Sequence, residues 1–539
     1  MTDLLNIGAQ ATQLYKSALT TVSNNIANLN TEGYSRQSLD ISANTMIPIG
    51  NTYLGTGSTL NQITRAYNGF VETNLRDTSS DLYNQQPVID YGNRVIDIFG
   101  SPTSGLTSSL DRFYAASATL STDPASVPQR NIFLTEAESL ASSFQSLSGH
   151  LDDIDQESQL DINLQLSTLN NLTQQLVEVN AQLARKPSLD QQPPELLDQR
   201  DNLLRELSEL VKIDVNERAS GGVEVRLDSS TGTVLVNQLT SAKFTASFSE
   251  NDPGAAKIFA NVHGSSSETL SVTGGLLGGL INFRSQILAP AVTALDHLAV
   301  TVNAEINAIQ TTGVDLNGER GTALFEIDPN TGGAAGFNII LTDPSKVAAA
   351  GLLRITNGDA NTGSASLDYL AIPTGAATPA VTLTYDDVAG TFTDSSGGVY
   401  TPDVKGLFSV GAITFELRGV PATGDTFEIG LNTNAAGDNR NMALMVQLQN
   451  KSVMPNGNSI SAGYAEIVNG AGNRVSLAVI SQDAMQAIYD QAIQAKGMVS
   501  GVNLDQEASD LIRFQQAYQA SAQIIKTASE LFDAILAVR

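Results

Sequence analysis

Residues 511–539 read LIRFQQAYQASAQIIKTASELFDAILAVR, and the spacing of their apolar side chains decides the architecture. Leu511, Phe514, Tyr518, Ile525, Ala528, Phe532 and Ile535 fall on alternating steps of three and four, with Ser521 filling the gap. That is a heptad seam sustained for about four repeats. Gln515, Gln516, Gln519, Gln523 and Lys526 occupy the remaining positions, so charge does little to oppose association. At the opposite end Leu4, Ile7, Ala11, Leu14, Ala18 and Val22 make a thinner stripe whose small residues permit close helix approach. Such helices draw most of their stability from packing an apolar face. Neither stripe is expected to bury itself in the globular part of its own chain. The two ends are therefore expected to come together as a coiled coil and to assemble with other copies, with these residues forming the subunit-assembly seam.

Composition bounds the rest. A chain of 539 residues exceeds a single core, so three or more domains are expected. There is no Cys, which removes disulfides, thiolate nucleophiles and Cys-ligated metal sites together. A formal charge of −27 argues against nucleic acid, whose phosphates are held by clustered Lys and Arg, and disfavours anionic membrane surfaces. No stretch approaches the roughly 18 apolar residues of a membrane span. Met1, Thr2 and Asp3 lead into Leu4 without a basic region or long apolar core, so no cleaved secretory signal is expected.

The period of the pattern changes along the chain. Asn30 to Tyr34 form a turn after the first helix, and residues 35–66 read as extended. Helical stripes then dominate to about 210: Leu106, Leu110 and Phe113; Ala137, Leu140, Phe144 and Leu147; and Ile162, Leu166, Leu169, Leu176 and Leu183. Pro124, Pro128, Pro187, Pro193 and Pro194 mark helix ends. From 211 the period is two, through Val211, Ile213, Val215, then Val223, Val225, Leu227, then Val234 and Val236. Residues 276–310 return to helix, 321–440 are Gly-, Thr-, Ala- and Asp-rich with short apolar runs, and helix resumes near Asn441. The expected fold is α+β and multidomain: terminal helices pairing as a coiled coil, a core bundle of long helices, and inserted mainly-β outer domains. The corresponding division is 1–66 with 495–539 for assembly; 67–210, 272–320 and 441–494 for the bundle; and 211–271 with 321–440 for the β insertions, one domain or two.

Motifs for chemistry are weak. His150, His263 and His297 lack a second ligand at metal spacing. Asp152, Asp153, Asp155 and Glu157 resemble the start of a calcium loop, but Ser158 stands in place of the required Gly. Gly274, Gly275, Gly278 and Gly279 are followed by no Gly-Lys-Ser/Thr, so they read as a turn into a tightly packed helix. No catalytic, cofactor or metal residue is assigned, and an enzyme is not expected.

The remaining signal is Ser23 to Gln37, SNNIANLNTEGYSRQ, in which Asn25, Asn28, Asn30, Gly33 and Tyr34 close a helix with a turn. This stretch resembles the N-terminal signature of the axial proteins of the bacterial flagellum, the rod, hook and hook-associated proteins. Its Tyr-Ser-Arg-Gln ending is most similar to the hook-associated members. Independently, Ser500 to Ala508 continuing into Leu511 to Ala520 resembles the C-terminal helix of the same family. Gly437 to Asn441, Gly278-Gly279-Leu280 with Phe283 and Arg284, and Gly313 to Gly318 also match its internal patterns.

The resemblance implies a structural subunit of the first junction zone between hook and filament. It implies a ring of copies of this chain, with hook protein below and a second junction protein above. It also implies export through the flagellar channel without a cleaved signal, and a cytoplasmic chaperone on the C-terminal helix. Another axial component, hook or distal rod, is the neighbouring alternative; a secreted glycan-binding adhesin or enzyme is the distant one.

Overall fold

The computed structural model describes residues 2–49, 51–100, 105–249, 252–262, 265–268, 272–373, 375–433 and 435–537. Among the described residues there are ten α-helices: α1 (Thr2–Ala27), α2 (Gly69–Phe99), α3 (Leu106–Thr122), α4 (Val127–Leu183), α5 (Pro194–Leu210), α6 (Gly275–Phe283), α7 (Ala289–Thr311), α8 (Arg440–Leu448), α9 (Ile460–Ser500) and α10 (Leu504–Ala537). They distribute into two compact units. The first contains residues 1–91, 156–286 and 475–539, and the second 92–155 and 287–474.

In the first unit, α1 is followed by four short strands, β1 (Gln37–Ala43), β2 (Ile47–Ile49), β3 (Thr52–Leu54) and β4 (Ser58–Arg65). β1 pairs with β4 and β2 with β3, all antiparallel, so 35–66 is a long hairpin with a short one at its tip. Alternation at Ile213, Val215, Val223, Val225 and Leu227 produces the strands expected there, 213–217, 223–227 and 234–236, in one antiparallel sheet. Their inward side chains join Ile162, Leu166, Leu169, Leu176 and Leu183 of α4 and Leu197, Leu203, Leu204 and Leu207 of α5 in a single buried cluster.

Two aromatic-rich cores lie among the described residues of the second unit, beside a small cluster of Val314, Ala350 and Leu352. Where α3, α4 and α7 meet a small hairpin of 325–327 and 337–339, the rings of Phe113, Phe133, Phe144, Phe325 and Phe337 stack with centroids 4.7–6.4 Å apart. Residues 353–432 form a separate sandwich. A five-stranded sheet in the order 353–357, 426–431, 381–386, 391–394, 399–400 faces a three-stranded sheet in the order 366–371, 413–418, 407–410. Phe392 and Phe427 from the first sheet meet Phe408 and Phe415 from the second.

Two expectations change. The stripes at 137–147 and 162–183 lie on one continuous helix of 57 residues, α4, because no proline separates them. Their buried residues form one unbroken stripe, joined through Leu151, Ile154 and Ser158 on steps of three and four. Residues Gly275–Thr311 are, by length and composition, apolar enough to cross a membrane, against the expectation that no stretch approaches a span. Their apolar side chains are instead packed in protein: Leu277, Leu280 and Phe283 in the first unit, Leu295, Leu298, Val302 and Ile306 in the second. The Asp152 to Glu157 run lies on α4 and forms no loop, His150 and His297 sit on helices, and His263 lies outside the described residues. Among the described residues no group of three or more His, Asp or Glu is placed to hold a metal ion.

Candidate assembly site at the paired termini

α1 and α10 pack against each other along their length. Gly8 of α1 meets Ile525 of α10, Tyr15 lies 6.3 Å ring-to-ring from Phe514, and Asn25 meets Glu507, so the pair is antiparallel. The stripes that neither helix buries in a globular core bury each other. Leu14, Ala18 and Val22 are buried on α1, as are Ser521 and Ala528 on α10. Ile7 and Ala11 are half-buried opposite the half-buried Leu511, Phe514, Tyr518 and Ile525. Gly8 sets the separation of the axes: a Cβ there would lie 2.8 Å from the Ile525 Cγ1. Leu4 and Phe532, the outermost seam residues described, remain 43% and 53% exposed. The Ile535 side chain lies outside the described residues.

Polar residues occupy one end of this seam. Asn25 stands seven residues after Ala18 and Glu507 four before Leu511, so each holds a heptad seam position, and both are buried. A polar residue at such a position fixes register at a cost in stability. Here the cost is offset by complete pairing. The Asn25 Nδ2 donates to the Gln37 carbonyl at 2.9 Å and to Glu507 Oε2 at 3.0 Å. Its Oδ1 accepts from the Tyr34 hydroxyl at 2.7 Å and from the Gln37 N–H at 2.9 Å. All four hydrogen-bonding positions of the amide are therefore filled. Glu507 Oε1 accepts from Arg36 Nε at 2.7 Å, and the Arg36 N–H donates to the Ser500 carbonyl. Glu507 also lies in the first turn of α10, where the helix dipole favours a carboxylate, while Asn503 caps that turn by accepting from the N–H groups of Asp505 and Gln506.

The turn between α1 and β1 is held from the other side by α5. The Ser35 N–H donates to Asp198, and Gln37 Nε2 donates to Glu195. Arg65 at the end of β4 bridges Asp198 and Asp201 at 2.9 and 2.7 Å, with all three side chains less than a tenth exposed. Arg200, fully buried, pairs with Asp201 and Glu217. Burial opposes its charge, but the two carboxylates outweigh burial and hold it firmly protonated. The Tyr34 hydroxyl is pushed up to about 12, first by burial and then by Asp198, Glu195 and Glu507, so it remains a donor at physiological pH. Gly33 is required here on two counts. Its φ is +79°, and a Cβ would overlap the Asn202 amide. Asn28 is less central, its Nδ2 donating to the Asn24 carbonyl at the exposed helix end, and Asn30 is exposed on the turn.

Comparison with known proteins follows these same elements. The sequence model described as "Flagella basal body rod protein" matches residues 5–34, and "Flagellar basal body rod FlgEFG protein C-terminal" matches 495–538. "Flagellar hook-associated protein FlgK helical domain" matches 93–325. Flagellar hook-associated protein 1 of Salmonella typhimurium (strain LT2) is 28% identical over the whole of both chains. End to end, the chain is similar to flagellar hook-associated protein 1. The protein of that name from Bacillus subtilis (strain 168) is 24% identical over 99% of this chain and 97% of its own. The solved structure of the flagellar hook junction protein FlgK from Burkholderia pseudomallei has the same fold, with a TM-score of 0.71 at 23% identity, covering 79% of this chain and 100% of that one.

The two stripes and the Asn25, Gly33 and Tyr34 turn are visible in the sequence, but not the charges that fasten the turn. Arg65, Asp198, Arg200 and Asp201 belong to none of the motifs singled out there. The available signal was in α5: Leu197, Asp201, Leu204 and Ser208 share one helical face, so a carboxylate sits in an apolar stripe and requires a buried cation.

Proposed function

We propose that this chain is a structural, non-catalytic subunit of the junction between the flagellar hook and the filament, needed for the filament to assemble. The observation that carries this reading is the antiparallel α1–α10 pair with its buried Asn25–Glu507 register contact, in a chain similar end to end to flagellar hook-associated protein 1. In this reading the terminal module builds the inner part of the assembly. Leu14, Ala18, Val22, Leu511, Phe514, Tyr518 and Ile525 hold the pair, and Leu4, Ile7, Ala11, Phe532 and Ile535 complete the seam that meets neighbouring copies. Asn25, Asn28, Asn30, Gly33 and Tyr34 serve as the turn that fixes the entry of the β1–β4 hairpin. The partners are further copies of the chain in a ring, hook protein below and the second junction protein above. Export proceeds through the flagellar channel without a cleaved signal, escorted by a cytoplasmic chaperone on α10, and the destination is extracellular.

Deleting the gene tests the reading. The expected cells carry hooks without filaments under the electron microscope, do not swim, and release unpolymerised flagellin to the medium. Normal filaments on the deletion strain would overturn it. Ile525→Asp, placed where Gly8 approaches, is expected to abolish incorporation while the sandwich of 353–432 stays folded.

A further inference from the structure

Two surfaces of the first unit carry exposed apolar side chains among the described residues. The first is the β2–β3 hairpin. Ile47 pairs with Leu54 on one face and Pro48 with Tyr53 on the other, so both faces are apolar. Met46, Ile47 and Leu54 are exposed, and Tyr53 is 74% exposed. A two-stranded hairpin with nothing against either face is marginal by itself. Its root is nevertheless fixed: Asn44 Nδ2 donates to Gln10 Oε1 on α1, the Asn44 N–H donates to the Gly57 carbonyl, and the Thr56 hydroxyl donates to the Thr45 carbonyl. The hairpin is thus an anchored arm that carries Met46, Ile47, Tyr53 and Leu54 exposed.

The second surface is a stripe on α9. Leu477, Ile480, Ile488 and Met498 recur at coiled-coil spacing, with Ala484 and Ala495 between them. Ile480 and Met498 are 67% and 84% exposed. Contiguous apolar surface of this kind marks an interaction site.

Charge identifies the occupant. From Ile41 to Thr64 the chain has no charged residue, although its formal charge is −27. Like charges brought together at an interface cost several kcal/mol, so a surface that must meet another copy of an acidic chain is best built without them. The arm meets that condition, and the α9 stripe offers a complementary apolar row.

We propose that the β2–β3 arm of one copy docks on the exposed α9 stripe of a second copy. The contact joins two different surfaces, so each copy offers both an arm and a stripe and the interaction propagates from chain to chain. This rests on the reading of the chain as a self-assembling subunit and names the surfaces that would join its copies.

The absence of native cysteine makes a direct test possible. Tyr53→Cys is combined in turn with Leu477→Cys, Ile480→Cys, Ile488→Cys and Met498→Cys, each replacing the wild-type chain in flagellated cells, and isolated flagella are oxidised. At least one pairing is expected to give a reducible ladder of two, three and more chains, because a disulfide requires Cβ atoms within about 4.5 Å, while each single variant stays monomeric. Swimming cells whose flagella give no ladder with any pairing would overturn the proposal, as would dimers from Tyr53→Cys alone, which would place arm against arm. Tyr53→Asp supplies a second readout. The purified variant should keep the wild-type circular dichroism and Tm, yet support on the order of tenfold fewer filaments per cell, since a carboxylate would be buried unpaired in the docked arm. Wild-type filament numbers would overturn the docking. Normal swimming of the deletion strain would instead overturn the assembly reading beneath it.

Discussion

The terminal clasp of the first unit and the sandwich of the second solve the same problem with opposite materials. Around α1 and α10 the buried contacts that decide geometry are polar: Asn25, Arg36, Glu507, Arg65, Asp198 and Asp201. In residues 353–432 they are the rings of Phe392, Phe408, Phe415 and Phe427. Aromatic burial is non-directional and stabilises generously. A buried polar constellation contributes less net stability but tolerates only one arrangement, because each shifted register strands a charge or amide. One region is therefore built to stay folded regardless of neighbours, the other to be correct in alignment.

The sharpest test of this division is Phe427→Ala. Removing a fully buried ring is expected to cost about 3–5 kcal/mol, read by hydrogen exchange as lost protection confined to 353–432, with α1 and α10 unchanged. Spread of the loss into the terminal helices would break the comparison. Glu507→Ala should act in mirror image. It leaves the Asn25 Nδ2 and Arg36 Nε without their acceptor and is expected to cost about 3 kcal/mol, visible as lost helicity at both ends while the sandwich Tm holds. Gly33→Ala is expected to cost about 2 kcal/mol, from the left-handed backbone and the displaced Asn202. It should loosen the turn without touching the α10 seam.

Acid separates the regions by sign. In the first unit burial holds the Glu72 carboxyl above its usual range, against the pull of Arg205, so the fold prefers the protonated form. Its contribution improves as pH falls from neutrality toward the ordinary value of 4.5, and Glu72→Gln should raise Tm at pH 7 and lose that advantage in acid. In the sandwich the Asp394 carboxyl is held down to about 2 by the Tyr400 hydroxyl, the Gly398 N–H and Ser396. Its stabilisation is complete above the ordinary value of 3.8 and disappears as pH falls toward 2, so Asp394→Asn should matter at neutral pH and not in strong acid. The smallest effect is expected at Tyr114, whose buried hydroxyl has no hydrogen-bond partner among the described residues. Tyr114→Phe should be neutral or stabilising by less than about 1 kcal/mol in thermal unfolding, since polar atoms in that aromatic core do not set the geometry.

Legibility in the sequence followed the same line. The seams at both ends, the strands at 213–236 and the break at Gly33 could be read because apolar period and turn chemistry are local signals. The continuous course of α4 could not. Between Leu147 and Ile162 its buried stripe passes through Leu151, Ile154 and Ser158 among Asp, Glu and Gln residues, which in sequence reads as a gap between two helices. The clasp was half legible. Asn25 and Tyr34 stand out in an unusual run, whereas Asp198 and Asp201 belong to no motif. Whether a carboxylate on a helix is exposed depends on Arg65, more than a hundred residues away, and no local pattern reports that.

Asn25 and Glu507 touch across 482 positions of chain. Closing so long a loop is entropically costly and slow compared with the local contacts that shape the sandwich. It also requires that the polypeptide extend through α10. A product terminated before that helix could fold its middle yet leave α1 without its companion, so the hydrogen bond acts as a proofreading mark: only a chain made through α10 can present both halves of the joint.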